Sequence, residues 1–381
     1  MHYDFDTTAT SPVLPEVLAS YARHLEEDGN NPASMHGGGI RALALLGQAK
    51  TSIAKDLDCA PDEIYFTQGG TESINHALKG VAWGGNRGGL FVTSQGEHDA
   101  VRATLSFLKE QWDQDVRALP LLKTGSVDME ALETLLSAEA PRLLSIMGVS
   151  NETGAINDLK AIQSLLKKYA PRCLFHSDIV QAAGKLPLSF KQSGLDMASV
   201  SGHKLGAPKG TGLLLKKKNL RLVPLLHGGG QQDGVRSGTV DVPGALAIAL
   251  AIRLHVERLD ENLAHVTALK KRFLKAIHEH GLPHECLSPE DASPYVLSIA
   301  FLGLRGETLM HALSAESIYI STGAACGSRH AGENHVLAAM GIEKPLIESA
   351  VRISFSSARS EQDVLWLADT INRIYRRYAT G

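Results

Sequence analysis

The sequence predicts an α/β protein: a large domain in which a mainly parallel sheet is covered by helices, followed by a smaller α+β domain. Three observations carry this prediction. From residue 12 to about 220, segments with helical periodicity alternate with short apolar runs bounded by glycine or polar residues, the pattern of strand–helix–strand units. From Pro243 to about His280 the pattern turns into a single helical stretch, longer than the roughly 8–20 residues of a usual globular helix and so suited to connecting two parts. Beyond it, apolar runs and helices recur without the alternation. A length of 381 residues fits two domains, expected over 12–250 for the large one and over 1–11 with 251–381 for the small one.

In chain order, apolar periodicity marks a helix at Pro15–Glu27 and another at Ile40–Leu57, and the run Ile64–Thr67 follows as a strand. A helix at Glu72–Trp83 leads to the strand Leu90–Thr93, and Asp99–Gln111 and Met129–Ala138 are helices before the strand Leu143–Val149. Leu159–Tyr169 is the last helix of this part, and Leu174–Ser177, Ala198–Ser201 and Gly212–Leu215 are its remaining strands. The smaller domain takes the long helical stretch, the apolar runs Tyr295–Phe301 and Val351–Phe355, helices near Glu307–Ala315 and Gln362–Arg377, and a Gly/Ser/Ala segment around Cys326.

Composition removes several function classes. Lysine and arginine total 38 against 41 acidic residues, a formal net charge of −3, so no global charge recruits nucleic acid or an anionic membrane. The four cysteines, Cys59, Cys173, Cys286 and Cys326, form no CxxC and no zinc-finger spacing. That is the cysteine usage of a reducing compartment, and with no apolar stretch of membrane-spanning length the expectation is a soluble cytoplasmic protein. No HExxH helix or comparable spacing supports a metal site. The 36 glycines exceed the roughly 27 of average usage, so tight turns and close backbone approaches are expected at the site.

Four local features lie where an α/β sheet places ligands, at strand C-terminal ends. In Thr67-Gln68-Gly69-Gly70-Thr71-Glu72, a strand runs through two glycines into a helix, which suits either a phosphate cradle with Thr71 as an added donor or a plain threonine cap. In Phe175-His176-Ser177-Asp178-Ile179-Val180-Gln181, a strand ends in a carboxylate that is either a turn cap or an anion orienting a cationic ligand. The third run, Ser199-Val200-Ser201-Gly202-His203-Lys204-Leu205-Gly206, delivers a lysine at a strand end, poorly explained as a solvated surface charge. Desolvation lowers a lysine's pKa and makes it an amine nucleophile able to form a Schiff base. Lysine, strand-end aspartate and phosphate cradle are together what pyridoxal phosphate requires. The fourth is Cys326, within Thr322-Gly323-Ala324-Ala325-Cys326-Gly327-Ser328, a small-residue segment suited to a mobile loop; the other three cysteines sit in ordinary helical or strand surroundings.

The run around Lys204, with His176-x-Asp178-x-x-Gln181 upstream, resembles the cofactor region of fold-type I pyridoxal-phosphate enzymes of the class V aminotransferase group. Within that group, His227-Gly228-Gly229-Gly230 and Gly234-x-Arg236-Ser237-Gly238-Thr239 are similar to the cysteine desulfurases of the NifS/IscS kind. Asn31-Pro32-Ala33-Ser34, Glu97-His98, Asn151-Glu152-x-Gly154, Ser321 to Cys326 and Val351-Arg352-Ile353-Ser354 extend the resemblance in order over nearly the whole chain.

The resemblance implies that Lys204 holds the cofactor covalently and later moves the substrate's Cα proton. It implies that Asp178 pairs with the pyridinium nitrogen, Gln181 donates to the ring's phenolate oxygen, and His98 stacks on the ring. The phosphate would be held by Gly70, Thr71, Ser201 and His203, with Thr239 reaching in from a second subunit of a homodimer. Asn151 and Arg352 would hold the carboxylate of L-cysteine, and a guanidinium offers a planar two-point clamp for one. Cys326 would take the substrate's sulfur as a persulfide and pass it to an acceptor or scaffold protein, for iron–sulfur clusters or thiolated products, leaving L-alanine. A selenocysteine lyase or another class V enzyme such as an aminotransferase is the nearest alternative, and a catalytically silent scaffold is an alternative of another kind.

Overall fold

Strands buried on both faces are mostly apolar, so short apolar runs point to a central sheet. The computed structural model, which describes residues 3–84, 88–323 and 334–379, places them there. After β1 (Tyr3–Asp4), the chain forms α1 (Pro15–Glu27), α2 (Gly37–Leu57), β2 (Ile64–Thr67), α3 (Gly70–Trp83), β3 (Phe91–Ser94), α4 (Asp99–Trp112) and β4 (Val116–Leu119). It continues through α5 (Met129–Ala138), β5 (Leu143–Ser145), α6 (Leu159–Tyr169), β6 (Leu174–Asp178), β7 (Met197–Ser201) and β8 (Gly212–Lys216). These strands form one seven-stranded sheet in the order β2-β8-β7-β6-β5-β3-β4. Every neighbouring pair from β7 to β4 is parallel, and only β8 runs against the rest. The expected mainly parallel sheet under helices is therefore what the chain builds.

The expected long helix is two. α7 (Val242–Glu257) ends and α8 (Leu259–Glu279) begins at Arg258, whose φ of −110° and ψ of 19° leave the helical region. The two halves also serve different cores. α7 lays Ala245, Ile248 and Ile252 into the apolar cluster beneath the large sheet, whereas α8 lays Val266, Leu269 and Phe273 into a second cluster. The chain goes on through β9 (His284–Cys286), β10 (Val296–Phe301), α9 (Gly306–Ala315), β11 (Ile318–Tyr319), α10 (His335–Ala339), α11 (Lys344–Ser349), β12 (Ala350–Ser354) and α12 (Glu361–Tyr378); β10, α9, β11, β12 and α12 complete the second cluster, while α10 and α11 pack in a smaller one with Ala300 and Ala350. Here β12-β10-β9 form an antiparallel sheet, and β11 pairs in parallel with β1, so the first residues join the second core, where Phe5 is fully buried.

Three further differences are local. β4 escapes an apolar-run reading because it is an edge strand whose Arg117 and Ala118 are exposed. β5 is bounded at Ser145, short of the expected Val149; the Ile146 and Gly148 N–H groups still reach the His176 and Asp178 carbonyls of β6, and Val149 then bridges Ile156. α2 starts at Gly37, since the His36 side chain caps Gly39 and holds in the helix three glycines of weak intrinsic propensity.

Phe273 and Phe355 meet edge to face with ring centroids 5.8 Å apart in the second core. Truncating Phe273 to alanine leaves a cavity in a fully buried site, and an expected loss of about 3–5 kcal/mol should show as an earlier denaturant midpoint.

Candidate active site

The C-terminal ends of β2, β6 and β7 face the same edge of the sheet, because two successive antiparallel pairings through β8 return β2 to the direction of β7. That edge is where a doubly wound sheet collects ligands. β2 hands over to α3 at Gly69, whose φ of 138° lies outside the range that side-chain-bearing residues adopt readily. A Cβ on Gly212, at the start of β8, would sit 2.5 Å from the Gly69 Cα, so glycine at 212 is a condition of that crossing. Gly69 is the N-cap of α3, and Gly70 and Thr71 are its first helical residues, whose N–H groups have no partner within the helix. The threonine-cap alternative therefore does not hold; Thr71 is exposed at the mouth.

Asp178 ends β6 and is buried, with Oδ1 accepting the Val180 N–H at 2.9 Å. Burial raises its pKa, against the charges of His98 and Lys204 and the Val180 N–H. One strand over, β7 ends at Ser201 and turns through Gly202–Lys204. Lys204 Nζ donates to the carbonyls of Thr8 (2.7 Å) and Ala9 (2.5 Å). His203 Nδ1 meets Thr10 Oγ1 at 3.1 Å, and burial, with the Lys204 charge beside it, takes its pKa down to about 4, so the ring is neutral. Gln181 Nε2 donates to the Thr8 carbonyl at 3.1 Å. His98 caps α4, its Nδ1 accepting the Ala100 N–H at 3.1 Å; that bond leaves the proton of a neutral ring on Nε2.

Arg352, on β12, comes from the second core. Its guanidinium donates to Asp6 Oδ1 at 2.9 Å, to Glu152 Oε1 at 3.2 Å and to the Asn151 carbonyl at 3.1 Å. The Asn151 side chain donates to the same Glu152 oxygen at 2.8 Å. One cavity of about 540 Å³ is lined by Gly70, Thr71, His98, Asn151, Asp178, Gln181, Ser201, His203, Lys204 and Arg352.

Of the expected residues that are described, Thr239 is not in that lining. It is exposed, in the segment that Arg236 fastens to α3 by a two-pronged ion pair with Glu72 (2.8 and 3.2 Å). Cys326 lies outside the described residues. Of the other cysteines, Cys59 and Cys173 have their thiols pushed by burial up to about 12, and that of Cys286 is raised as well. His176 is a satisfied core residue, held between Ser145 Oγ (2.8 Å) and Ser199 Oγ (3.0 Å).

Residues beyond the expected set also shape the site. The backbone of Thr8 and Ala9 and the carboxylate of Asp6 arrive from the N-terminus, where no strand, glycine pair or charge cluster marks them in sequence. Glu152 could have been found, since it adjoins Asn151 in a quoted motif. Glu97, next to His98, is fully buried, and burial raises its pKa to about 8. Its Oε1 accepts both Ser94 Oγ (2.7 Å) and the Met147 N–H (2.9 Å). An unfolded chain loses this proton near 4.5 and the folded one near 8. The stability tied to that proton is thus whole below 4.5, declines as pH rises through this window, and is lost above 8. Glu97→Gln keeps the accepting oxygen, and the expected result is a flatter dependence of unfolding free energy on pH between those limits. Among the described residues, no three His, Cys, Asp or Glu side chains are grouped to hold a metal ion, and no helix is long and apolar enough to cross a membrane.

Residues 3–367 match the family model described as aminotransferase class-V. A NifS/IcsS protein homolog of Lactobacillus delbrueckii subsp. bulgaricus is 38% identical over 379 residues, covering 98% of this chain and 97% of that protein. An IscS-like cysteine desulfurase of Mycobacterium tuberculosis is 36% identical, covering 94% and 92%. Among solved structures, a NifS-like protein superposes with a TM-score of 0.92 at 35% identity, covering 99% of this chain and all of that one. A structure described as SspA in complex with cysteine gives 0.83 at 30% identity, covering 94% and 100%.

Proposed function

The chain belongs to the class-V aminotransferase family, among its NifS/IscS cysteine desulfurases, and from that premise we propose how its own residues carry the pyridoxal-phosphate-dependent removal of sulfur from L-cysteine. One observation carries the reading: the Lys204 amine from the turn after β7, the buried Asp178 carboxylate from β6 and the Arg352 guanidinium from β12 line a single cavity.

The lining fits the cofactor. A buried carboxylate needs a cationic partner, and a pyridinium N–H would give Asp178 one. The helix start at Gly70 and Thr71, with the Ser201 hydroxyl and neutral His203, offers donors to a phosphate. A Cβ on Gly70 would lie 3.2 Å from Val180 Cγ2 and 3.4 Å from Ser201 Cβ, so the backbone there is left open to a ligand only by glycine. When bound, the cofactor supplies a ring that withdraws electrons from the bonds at the substrate's Cα.

The chain does the rest. Lys204 binds the cofactor through Nζ and then takes and returns the proton at Cα. Gln181 donates to the ring's phenolate oxygen, and His98 covers one ring face. Arg352, with Asn151, holds the carboxylate and so fixes which Cα bond lies in the reactive direction. The Cys326 thiolate attacks the substrate's sulfur; an S–S bond forms as the C–S bond breaks, the electron pair stays with Cβ, which takes up a proton to become the methyl group of alanine, and the persulfide goes on to an acceptor protein in the cytoplasm. Thr239, exposed in its own chain, reaches the phosphate of a second copy in a homodimer.

The test is stoichiometry: with bound cofactor, L-cysteine should yield equal alanine and sulfide in the presence of a reductant. A folded protein that takes up no pyridoxal phosphate would favour the scaffold alternative. Arg352→Ala is expected to raise KM for cysteine about 10–100-fold with a smaller change in kcat, read from initial rates over a cysteine series.

A further inference from the structure

A second buried lysine stands behind the first. Lys185, in the turn after β6, is buried, and no carboxylate is within hydrogen-bonding reach of its Nζ among the described residues. Nζ donates instead to Gln181 Oε1 at 3.0 Å and lies 5.8 Å from the centroid of the Tyr295 ring, which comes from the second core. Its other neighbours of consequence are cationic or neutral: Lys204, whose charge opposes its own, and His203 and His255, both of whose pKa values it helps to lower. Burying an ammonium without a counter-ion is costly, so an apolar residue would suit packing better here.

What Lys185 does for the site follows from hydrogen-bond chemistry. The two ends of a glutamine amide are alike in shape and opposite in role, and only the partners decide which faces where. An amine on lysine donates, so it takes the Gln181 oxygen and leaves the NH₂ end toward the Thr8 carbonyl and the cavity. With the amide reversed, an acceptor would face an anionic ring oxygen. We propose that Lys185 is a positioning residue that locks the Gln181 amide with its donor end toward the cofactor. The proposal rests on the assignment of Gln181 to the ring oxygen made above. The lock is strict for the ammonium, which has no acceptor for a reversed amide; burial lowers the Lys185 pKa to about 7, and above it the lone pair of the neutral amine weakens that preference.

The test is a double-mutant cycle on holoenzyme, with Lys185→Met, Gln181→Ala and the pair, read by the pH midpoint of the bound cofactor's visible absorption change and by cofactor affinity at equilibrium dialysis. A donor to the phenolate favours its most anionic form, so losing it raises the midpoint. Lys185→Met is expected to raise it by about half a unit and to weaken cofactor binding several-fold, with no further change on the Gln181→Ala background. Lys185→Arg, which keeps a donor, should return the midpoint toward that of the parent. If Lys185→Met does not fold, Lys185→Ala takes its place in the cycle. A Lys185 variant that titrates like the parent, or shifts equally in the absence of Gln181, overturns the proposal. Gln181→Ala without any effect overturns the Gln181 assignment instead.

Discussion

Replacing Cys326 with serine is expected to cut sulfide release from L-cysteine by about 10³-fold or more while the visible absorbance of the bound cofactor stays in place. A thiolate attacks sulfur readily; a hydroxyl, with no base to ionise it, does not. None of the described cysteines can substitute. Cys59 and Cys173 hold their protons up to about 12 by burial, and Cys286 is exposed on β9; none of the three lines the cavity. The companion measurement is intact mass after exposure to cysteine, with the gain of one sulfur mapped to Cys326. Undiminished cysteine turnover in Cys326→Ser would remove the persulfide step and favour the lyase alternative, in which no enzyme thiol takes the chalcogen.

Lys204→Ala should be more severe, abolishing turnover within detection and releasing the cofactor on gel filtration, because the covalent anchor and the Cα proton carrier are lost together. Borohydride treatment of the parent should fix the cofactor to the peptide carrying Lys204 and leave the variant unlabelled. Retention of a reducible cofactor bond in Lys204→Ala would move the anchor elsewhere, and Lys185 is the first residue to examine, being the other amine buried in this region. The two experiments separate two halves of the site: the first keeps the cofactor and loses sulfur transfer, and the second loses both.

The sequence made the large sheet legible because its strands are buried on both faces and carry short apolar runs, as Ile64-Tyr65-Phe66 in β2 and Leu213-Leu214-Leu215 in β8 do. It was legible at the site wherever chemistry and backbone demand coincide. Lys204 and Asp178 are charged groups at the ends of apolar strands, and Gly69 and Gly70 mark a turn that other residues would enter only with strain or collision. It was silent where a residue acts through its backbone or through distance in the chain. The Thr8 carbonyl accepts from both Lys204 and Gln181, yet a carbonyl has no signature in residue type.

By itself, then, the sequence determined the fold class and its family, and named the cavity's principal side chains. Local rules govern all of these: periodicity, turn chemistry and the order of motifs along the chain. Only the tertiary structure decided that one apolar helical stretch is two helices serving two cores, broken at Arg258. It alone brought Asp6 and Glu152 onto Arg352, and Lys185 onto Gln181. Hydrogen bonds across 346 or 200 residues of chain, such as those of Arg352, are set by how the cores pack together, and no window along a sequence is wide enough to contain them.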